Sequence, residues 1–389
     1  MTTIRDTVSQ GARRPRVLFV GRGRLQLPLP GWLAKKWDAI GAELDFRVLG
    51  ASEDGTAQSD ARFRLEPAAR PRTLDGALFH LRLPFLIRRE IDGFRPDVLV
   101  AADPFVGLAA LAGRRLARRR PKLIVEVHGD WRTFPRSYGS SLRRLLAPLT
   151  DRVAAAAVRR ADATRALSGF TSGLVESVRG LPASASFPTY SDLSAFSEHP
   201  VRPLPERPAA LFVGVLEPYK NVDGLAAAWR LVARRLPEAR LVVVGRGSRS
   251  RVVEELVRDF PGRVEHHERL EPAEVSAALD DATVLVLPSW PEGLGRVVIE
   301  AFARGRGVVA TGAGGILDLV TDGDEGLLVP RGDVEALADA LVAVLGDPAL
   351  AARLGGAARR RYPEWRSTPE RFAGELRALV EATLAGRAR

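Results

Sequence analysis

Short apolar runs alternate along this chain with longer segments whose apolar residues recur at helical spacing. A run apolar on both faces belongs to a strand covered on both sides, so the pattern predicts parallel sheets wrapped by helices, an α/β chain. In the first half the predicted strands are Arg16–Val20, Leu44–Leu49, Asp97–Ala101, Leu123–Val127 and Thr164–Leu167. Helices are predicted over Gly31–Gly41, Gly107–Arg119, Ser141–Arg160 and Thr171–Val178. The alternation restarts with strands at Ala210–Val215, Arg240–Val244, Arg263–His266, Thr283–Leu287, Gly307–Ala310 and Gly326–Val329. A last amphipathic helix, Pro369–Leu384, carries Phe372, Leu376, Leu379 and Val380 on one face.

Between the halves, Ser197 to Pro208 holds four prolines in twelve residues. Proline removes backbone donors and opposes helix, so this reads as a linker. The organisation expected is a flexible N-terminus (1–15), an N-terminal Rossmann-like domain (16–198), a Pro-rich linker (199–208), a C-terminal Rossmann-like domain (209–368) and a closing helix (369–389).

Composition narrows the chemistry. With no cysteine there is no disulfide, thiolate metal site or cysteine nucleophile. His80, His128, His199, His266 and His267 show no metal-ligand spacing. No long uninterrupted apolar run predicts a transmembrane helix, and the first sixteen residues contain no apolar stretch of a secretory signal. The expectation is a cytoplasmic protein. The formal charge of +11 rests almost wholly on arginine, because only Lys35, Lys36, Lys122 and Lys220 are lysines. Such a skew places Arg wherever a surface cation is tolerated, so most carry no functional message. Nucleic acid is not the expected partner. Leu142, Leu145, Leu146, Leu149 and Val153, flanked by Arg143, Arg144 and Arg152, read two ways. They are either a core stripe with a basic outer face or a helix lying peripherally on anionic lipid at the inner face of a membrane.

The candidate chemistry lies where predicted strands end in glycine. Four such loops follow strands of the second half: Gly214 to Lys220, Gly245-Arg246-Gly247, Glu292-Gly293-Leu294-Gly295 and Thr311 to Gly315. In a parallel sheet these ends share one edge, where glycine lets backbone N–H groups approach an anion. Each loop is also explained by a tight turn; together with Lys220 they favour a phosphate-bearing ligand. The third loop opens into a helix, with Glu292 before it and Glu300 inside it. Carboxylates accept hydrogen bonds from hydroxyls, so phosphate plus hydroxyls points to a sugar nucleotide. Asn221 is expected to cap the helix after Lys220. Asp103 reads as a turn or helix-start residue. Trp131 and Trp290 read as packing residues or as stacking platforms. Neither Gly21-Arg-Gly23 nor Gly245-Arg-Gly247 completes a dinucleotide fingerprint.

The stretches FVGVLEPYKNVDGL, LVVVGRG, VLVLPSWPEGLGRVVIEAFARGRGVVATGAGGILDLV and DGDEGLLVPRGDVEALADAL resemble the retaining glycosyltransferases of family 4. Looser matches follow at Gly21 and Gly23 after the first strand, Val127-His128-Gly129-Asp130 and Ala161–Ser168. The resemblance implies a GT-B fold, two Rossmann-like domains facing across a cleft. It implies that Glu300 accepts from ribose hydroxyls, that Lys220 and the Gly293–Gly295 backbone hold a diphosphate, and that Glu292 binds the donor sugar. His128 would approach that sugar from the other domain. Gly214, Gly245, Leu294 and Val297 complete the donor side; Gly21, Gly23 and Asp130 lie on the acceptor side, with loop capping the alternative for His128 and Asp130. The family's pattern places an Arg where Val215 stands, and Arg246 and Arg296 are the candidates to replace it.

The expected reaction is metal-free and cofactor-free transfer of a sugar, with retention, to a glycan, lipid-linked or small-molecule acceptor. Lys220 and helix N-termini would stabilise the leaving diphosphate. The alternatives are another GT-B enzyme, such as a sugar-nucleotide epimerase, and a non-catalytic nucleotide- or glycan-binding protein.

Overall fold

The computed structural model describes residues 13–67, 75–132 and 141–388, with the side chains of 141–146 left out. Most of the segment expected to be a flexible N-terminus therefore lies outside the described residues, as do the side chains of Leu142, Arg143, Arg144, Leu145 and Leu146. The chain divides into two compact units. The first comprises Met1–Glu126, Val153–Arg165 and Pro369–Arg389, the second Val127–Arg152 and Ala166–Thr368.

The first-half sheet contains β1 (Arg16–Leu25), β2 (Asp45–Ser52), β3 (Gln58–Ser59), β4 (Phe63–Glu66), β5 (Val98–Ala101), β6 (Lys122–Val127), β7 (Ala163–Ala166) and β8 (Ala185–Ser186). Their order is β3-β4-β2-β1-β5-β6-β7-β8. β1 pairs in parallel with β2 and β5, and β5 with β6. β3 is antiparallel to β4. The β3–β4 hairpin and the helix Asp75–Phe94 were not legible in the pattern. Pro84 sits inside that helix, where it ordinarily argues against one; the helix forms because Phe79, Leu83, Ile87 and Ile91 are buried one turn apart.

β1 is also longer than its apolar run. Its register with β2 shifts between Val20 and Arg24, so Gly21 and Gly23 lie inside a bulged strand and not in a loop after it. A Cβ at 21 would stand 3.0 Å from that of Ala102, a tight fit that favours glycine. Asp103 starts the helix Pro104–Leu116 by accepting from the N–H groups of Phe105 and Val106 at 2.7 and 2.9 Å. The last helix, Pro369–Leu384, belongs to the first unit. It packs on the helix Gly31–Glu43 with Phe372, Leu376, Leu379 and Val380 buried, and Arg377 reaches Glu43 at 2.7 Å.

The second unit holds β9 (Ala209–Val213), β10 (Arg240–Val244), β11 (Val264–His267), β12 (Val284–Leu287), β13 (Gly307–Thr311) and β14 (Gly326–Val329). They form an all-parallel sheet in the order β11-β10-β9-β12-β13-β14. β12 and β13 are buried throughout, which is why they read as unbroken apolar runs. One core, with Phe212, Trp229 and Leu341, and another, with Phe302, Leu319 and Tyr362, cover the sheet. The strand order reverses between β9 and β12, which opens the crevice characteristic of doubly wound sheets at their C-terminal ends.

No helix or strand interrupts 198–208, yet this stretch is not a loose tether. Arg304, paired with Asp280 at 2.7 Å, donates to the carbonyls of Phe196, His199 and Pro200. Arg306 donates to those of Arg202 and Pro203. Both arginines are buried. Expecting most arginines to be surface cations therefore misses these two, whose forked donors satisfy backbone carbonyls that proline-rich chain leaves without ladder partners.

Candidate functional site

The loops after β9 and β12 flank the strand-order reversal. Beyond β9, Gly214 packs under Lys220; a Cβ at 214 would stand 3.5 Å from the lysine Cε. Pro218–Lys220 forms a single 3-10 turn that aims the Lys220 side chain inward, leaving the residue 9% exposed. Its Nζ lies 2.5 Å from Oε1 of Glu292 in the loop after β12. The Trp290 N–H donates to the Tyr219 carbonyl at 2.7 Å, tying the two loops together. Asn221 is not the expected side-chain cap. It sits in the left-handed region at φ 53° with no capping hydrogen bond, so the turn reverses through its backbone.

Close backbone packing explains the glycines here. Gly293 lies against the carbonyl of His128, where a Cβ would come within 1.9 Å of the oxygen. Ser168 donates to the Gly293 carbonyl at 2.6 Å while its Oγ also caps the helix Gly169–Arg179. Gly314, at φ 67°, bridges to Glu292, and the Gly315 N–H donates to the Glu292 carbonyl at 2.8 Å. The Gly245 backbone lies on the Gly214 carbonyl, which a Cβ would meet at 1.9 Å. The four loops singled out in the sequence thus meet at one edge.

Glu300 follows on the helix Arg296–Ala303, which Gly295 opens at φ 87°. Its carboxyl is buried, and burial raises its pKa above the ordinary value, opposed by the Arg296 guanidinium at 2.7 Å. Leu294 and Val297 are half-buried beside it. Arg296 is engaged with Glu300, whereas the exposed Arg246 makes no ion pair among the described residues; the Leu216 N–H donates to its carbonyl at 3.0 Å. Val215 is exposed in the same loop. His128 is exposed at the end of β6. Asp130 is bound by Arg132 through its backbone N–H, Nε and Nη2, the loop-capping alternative. Trp131 is buried, and Trp290 lies under the Arg331 guanidinium at 4.6 Å. Gly21 and Gly23 belong to the first unit, and the assembly built on β9 and β12 belongs to the second.

Sequence reasoning missed Ser168 as a support of the site. Its signal was present, a serine at a strand end with a threonine three residues on, both used in a capping box.

Residues 33–186 match the family described as Glycosyltransferase Family 4, and residues 207–347 match Glycosyl transferases group 1. The GDP-mannose-dependent alpha-(1-6)-phosphatidylinositol monomannoside mannosyltransferase of Mycolicibacterium smegmatis is 31% identical over 311 residues, 72% of this chain and 76% of that protein. The chain belongs to glycosyltransferase family 4. A shorter match, 34% identical over 176 residues, joins it to sulfoquinovosyl transferase SQD2 of Arabidopsis thaliana. That match covers 44% of this family 4 chain and 33% of SQD2, so it spans about a third of that relative's length. Sucrose-phosphate synthase from Thermosynechococcus elongatus has a TM-score of 0.76 at 20% identity, covering 96% of this chain and 100% of that one. Anabaena HepE in complex with UDP-glucose has a TM-score of 0.67 at 17% identity, covering 95% and 99%. These likenesses establish the GT-B fold.

Proposed function

We propose that this family 4 protein transfers a sugar from a nucleotide-diphosphate donor to a hydroxyl of a glycan, lipid-linked or small-molecule acceptor, with retention and without a metal. The observation that carries the reading is the Lys220–Glu292 pair at the strand-order reversal of the second sheet. Lys220 supplies the cation for the departing diphosphate, aided by the backbone at Gly293–Gly295 and the N-terminus of the Glu300 helix. Glu292 accepts from the sugar hydroxyls and Glu300 from the ribose. The bond from the anomeric carbon to the phosphate oxygen breaks as the acceptor oxygen attacks the same face, and the acceptor proton passes to the leaving phosphate. Arg246 is the cation that stands in for the family Arg at Val215. The names of the relatives support this reading, since one is GDP-mannose-dependent and one neighbour holds UDP-glucose.

The test is a thermal-shift panel of UDP-, GDP- and ADP-sugars, followed by donor hydrolysis. Stabilisation by one donor, with hydrolysis insensitive to EDTA and lost in Lys220→Ala and Glu292→Ala, supports the reading. No response to any nucleotide sugar refutes it.

A lipid-linked acceptor would bring the protein to an anionic membrane. Among the described residues no helix is long and apolar enough to cross one. Leu149 is 57% exposed beside the exposed Arg152, which supports peripheral contact. Failure to co-sediment with anionic liposomes at low salt would remove that part of the proposal.

A further inference from the structure

The first sheet reverses its strand order between β1 and β5, and there β1 carries a cationic pair that the donor chemistry does not use. Through its bulge β1 reads Gly21-Arg22-Gly23-Arg24. Both arginines turn to the first residue of the helix Asp75–Phe94. Nη2 of Arg22 and Nη2 of Arg24 lie 3.0 and 3.7 Å from the same oxygen of Asp75. Arg22 lies over Gly76, where a Cβ would stand 2.9 Å from its Nη1. Asp75 is buried, whereas the arginine side chains are 40% and 53% exposed. Arg22 hydrogen-bonds this carboxylate and Arg24 stands within ion-pair reach of it, and both guanidiniums carry more N–H donors than one shared oxygen can take. Anchored to Asp75, Arg22 loses less freedom on binding an anion than an untethered arginine would.

The other arginine-rich feature of this unit differs. A cavity of about 650 Å³ is lined by Arg47, Arg62, Arg64 and Arg89. There the buried Glu90 pairs with both Arg47 and Arg64, and Glu66 also pairs with Arg64. Arg47 and Arg64 are thus matched within the cavity, and Arg62 lies 3.7 Å from the exposed Asp38.

We propose that Arg22 and Arg24 recognise an anionic group, a phosphate or carboxylate, borne by the acceptor, so that the acceptor of this enzyme is acidic. The proposal rests on the glycosyltransferase reading, and its test separates the two. Glycerol 1-phosphate is titrated calorimetrically into the full chain, beside the UDP- and GDP-sugars, for wild type and for Arg22→Gln/Arg24→Gln. The expected result is binding of glycerol 1-phosphate that weakens at least about tenfold in the double variant, with nucleotide-sugar affinity changed less than about twofold. An Arg22→Lys/Arg24→Lys pair keeps the charge without the fork and should fall between; it decides the matter if the Gln pair does not fold. Unchanged glycerol 1-phosphate affinity in the variants, or none in wild type, overturns the proposal. An equal loss for nucleotide sugars also overturns it, by assigning the pair to the donor's diphosphate. If wild type binds no nucleotide sugar, the functional reading fails while the glycerol 1-phosphate arm still reports on the arginines.

Discussion

Lys220 and Glu292 neutralise each other across two loops at 2.5 Å, and each is nearly buried. An ion pair removed from water loses strongly when one partner is deleted, because the other is left uncompensated. In the proposed reaction a diphosphate arriving at Lys220 would take over the role of counter-charge and leave the Glu292 carboxylate for hydroxyls.

Lys220→Ala should therefore lower kcat/KM by about 10²–10³-fold, the cost of removing one preorganised stabiliser of a developing anion. Steady-state kinetics on the donor found in the thermal-shift panel checks this. A variant that lost only KM would show that the lysine binds ground state and transition state alike.

Glu300→Gln should separate stability from binding. Burial raises the Glu300 pKa, so the folded protein holds this proton more tightly than the unfolded chain. The raised value makes stability fully present at pH below the ordinary carboxylate range and diminishes it as pH rises through the folded value. The Gln variant should thus melt higher than wild type at pH 8, with the gap closing towards pH 4. Donor binding should weaken by about 1.5–3 kcal/mol, the loss of a hydrogen bond to a charged group.

Gly293→Ala tests the close approach at His128. The added Cβ would meet a backbone oxygen at 1.9 Å, and backbone cannot swing aside as a side-chain tip can. A loss of about 1–3 kcal/mol is expected from such overpacking, read as the midpoint of chemical denaturation. Unchanged stability would show that the loop repacks freely.

Asp280→Asn should destabilise the second unit by about 3–5 kcal/mol, because it strands the buried Arg304 guanidinium. Limited proteolysis should then find the 198–208 segment, whose carbonyls Arg304 and Arg306 hold.

Lys36 gives a prediction of opposite pH sense. Burial, aided by the nearby Arg165 and opposed by Glu126, lowers its pKa to about 8. Between about 8 and the usual 10.5 the unfolded chain binds the proton more tightly, so stability rises with pH across that window. Lys36→Met should be more stable than wild type at pH 7, with the advantage shrinking above pH 8 in thermal melts.

The outer parts of the first sheet show why some of the fold escaped the sequence. The Asp75–Phe94 helix keeps its buried spacing around an interior proline, and β1 runs five residues past its apolar stretch, through two glycines and two arginines to Leu25. Local pattern marks neither, because helix and strand there are stabilised by packing and pairing partners distant in sequence.

The local pattern sufficed for the all-parallel second sheet, the parallel core of the first, the glycine loops at strand ends and the residues of the Lys220–Glu292–Glu300 set. Buried runs, tight turns and scarce lysines are local properties. Only the tertiary structure decided which arginines matter. Arg304 and Arg306 look like any surface cation until the fold buries them against the carbonyls of 196–203. Arg22 and Arg24 look the same until the fold brings both to Asp75. A guanidinium's role is set by the acceptors that the folded chain brings to it, and those come from elsewhere in the sequence.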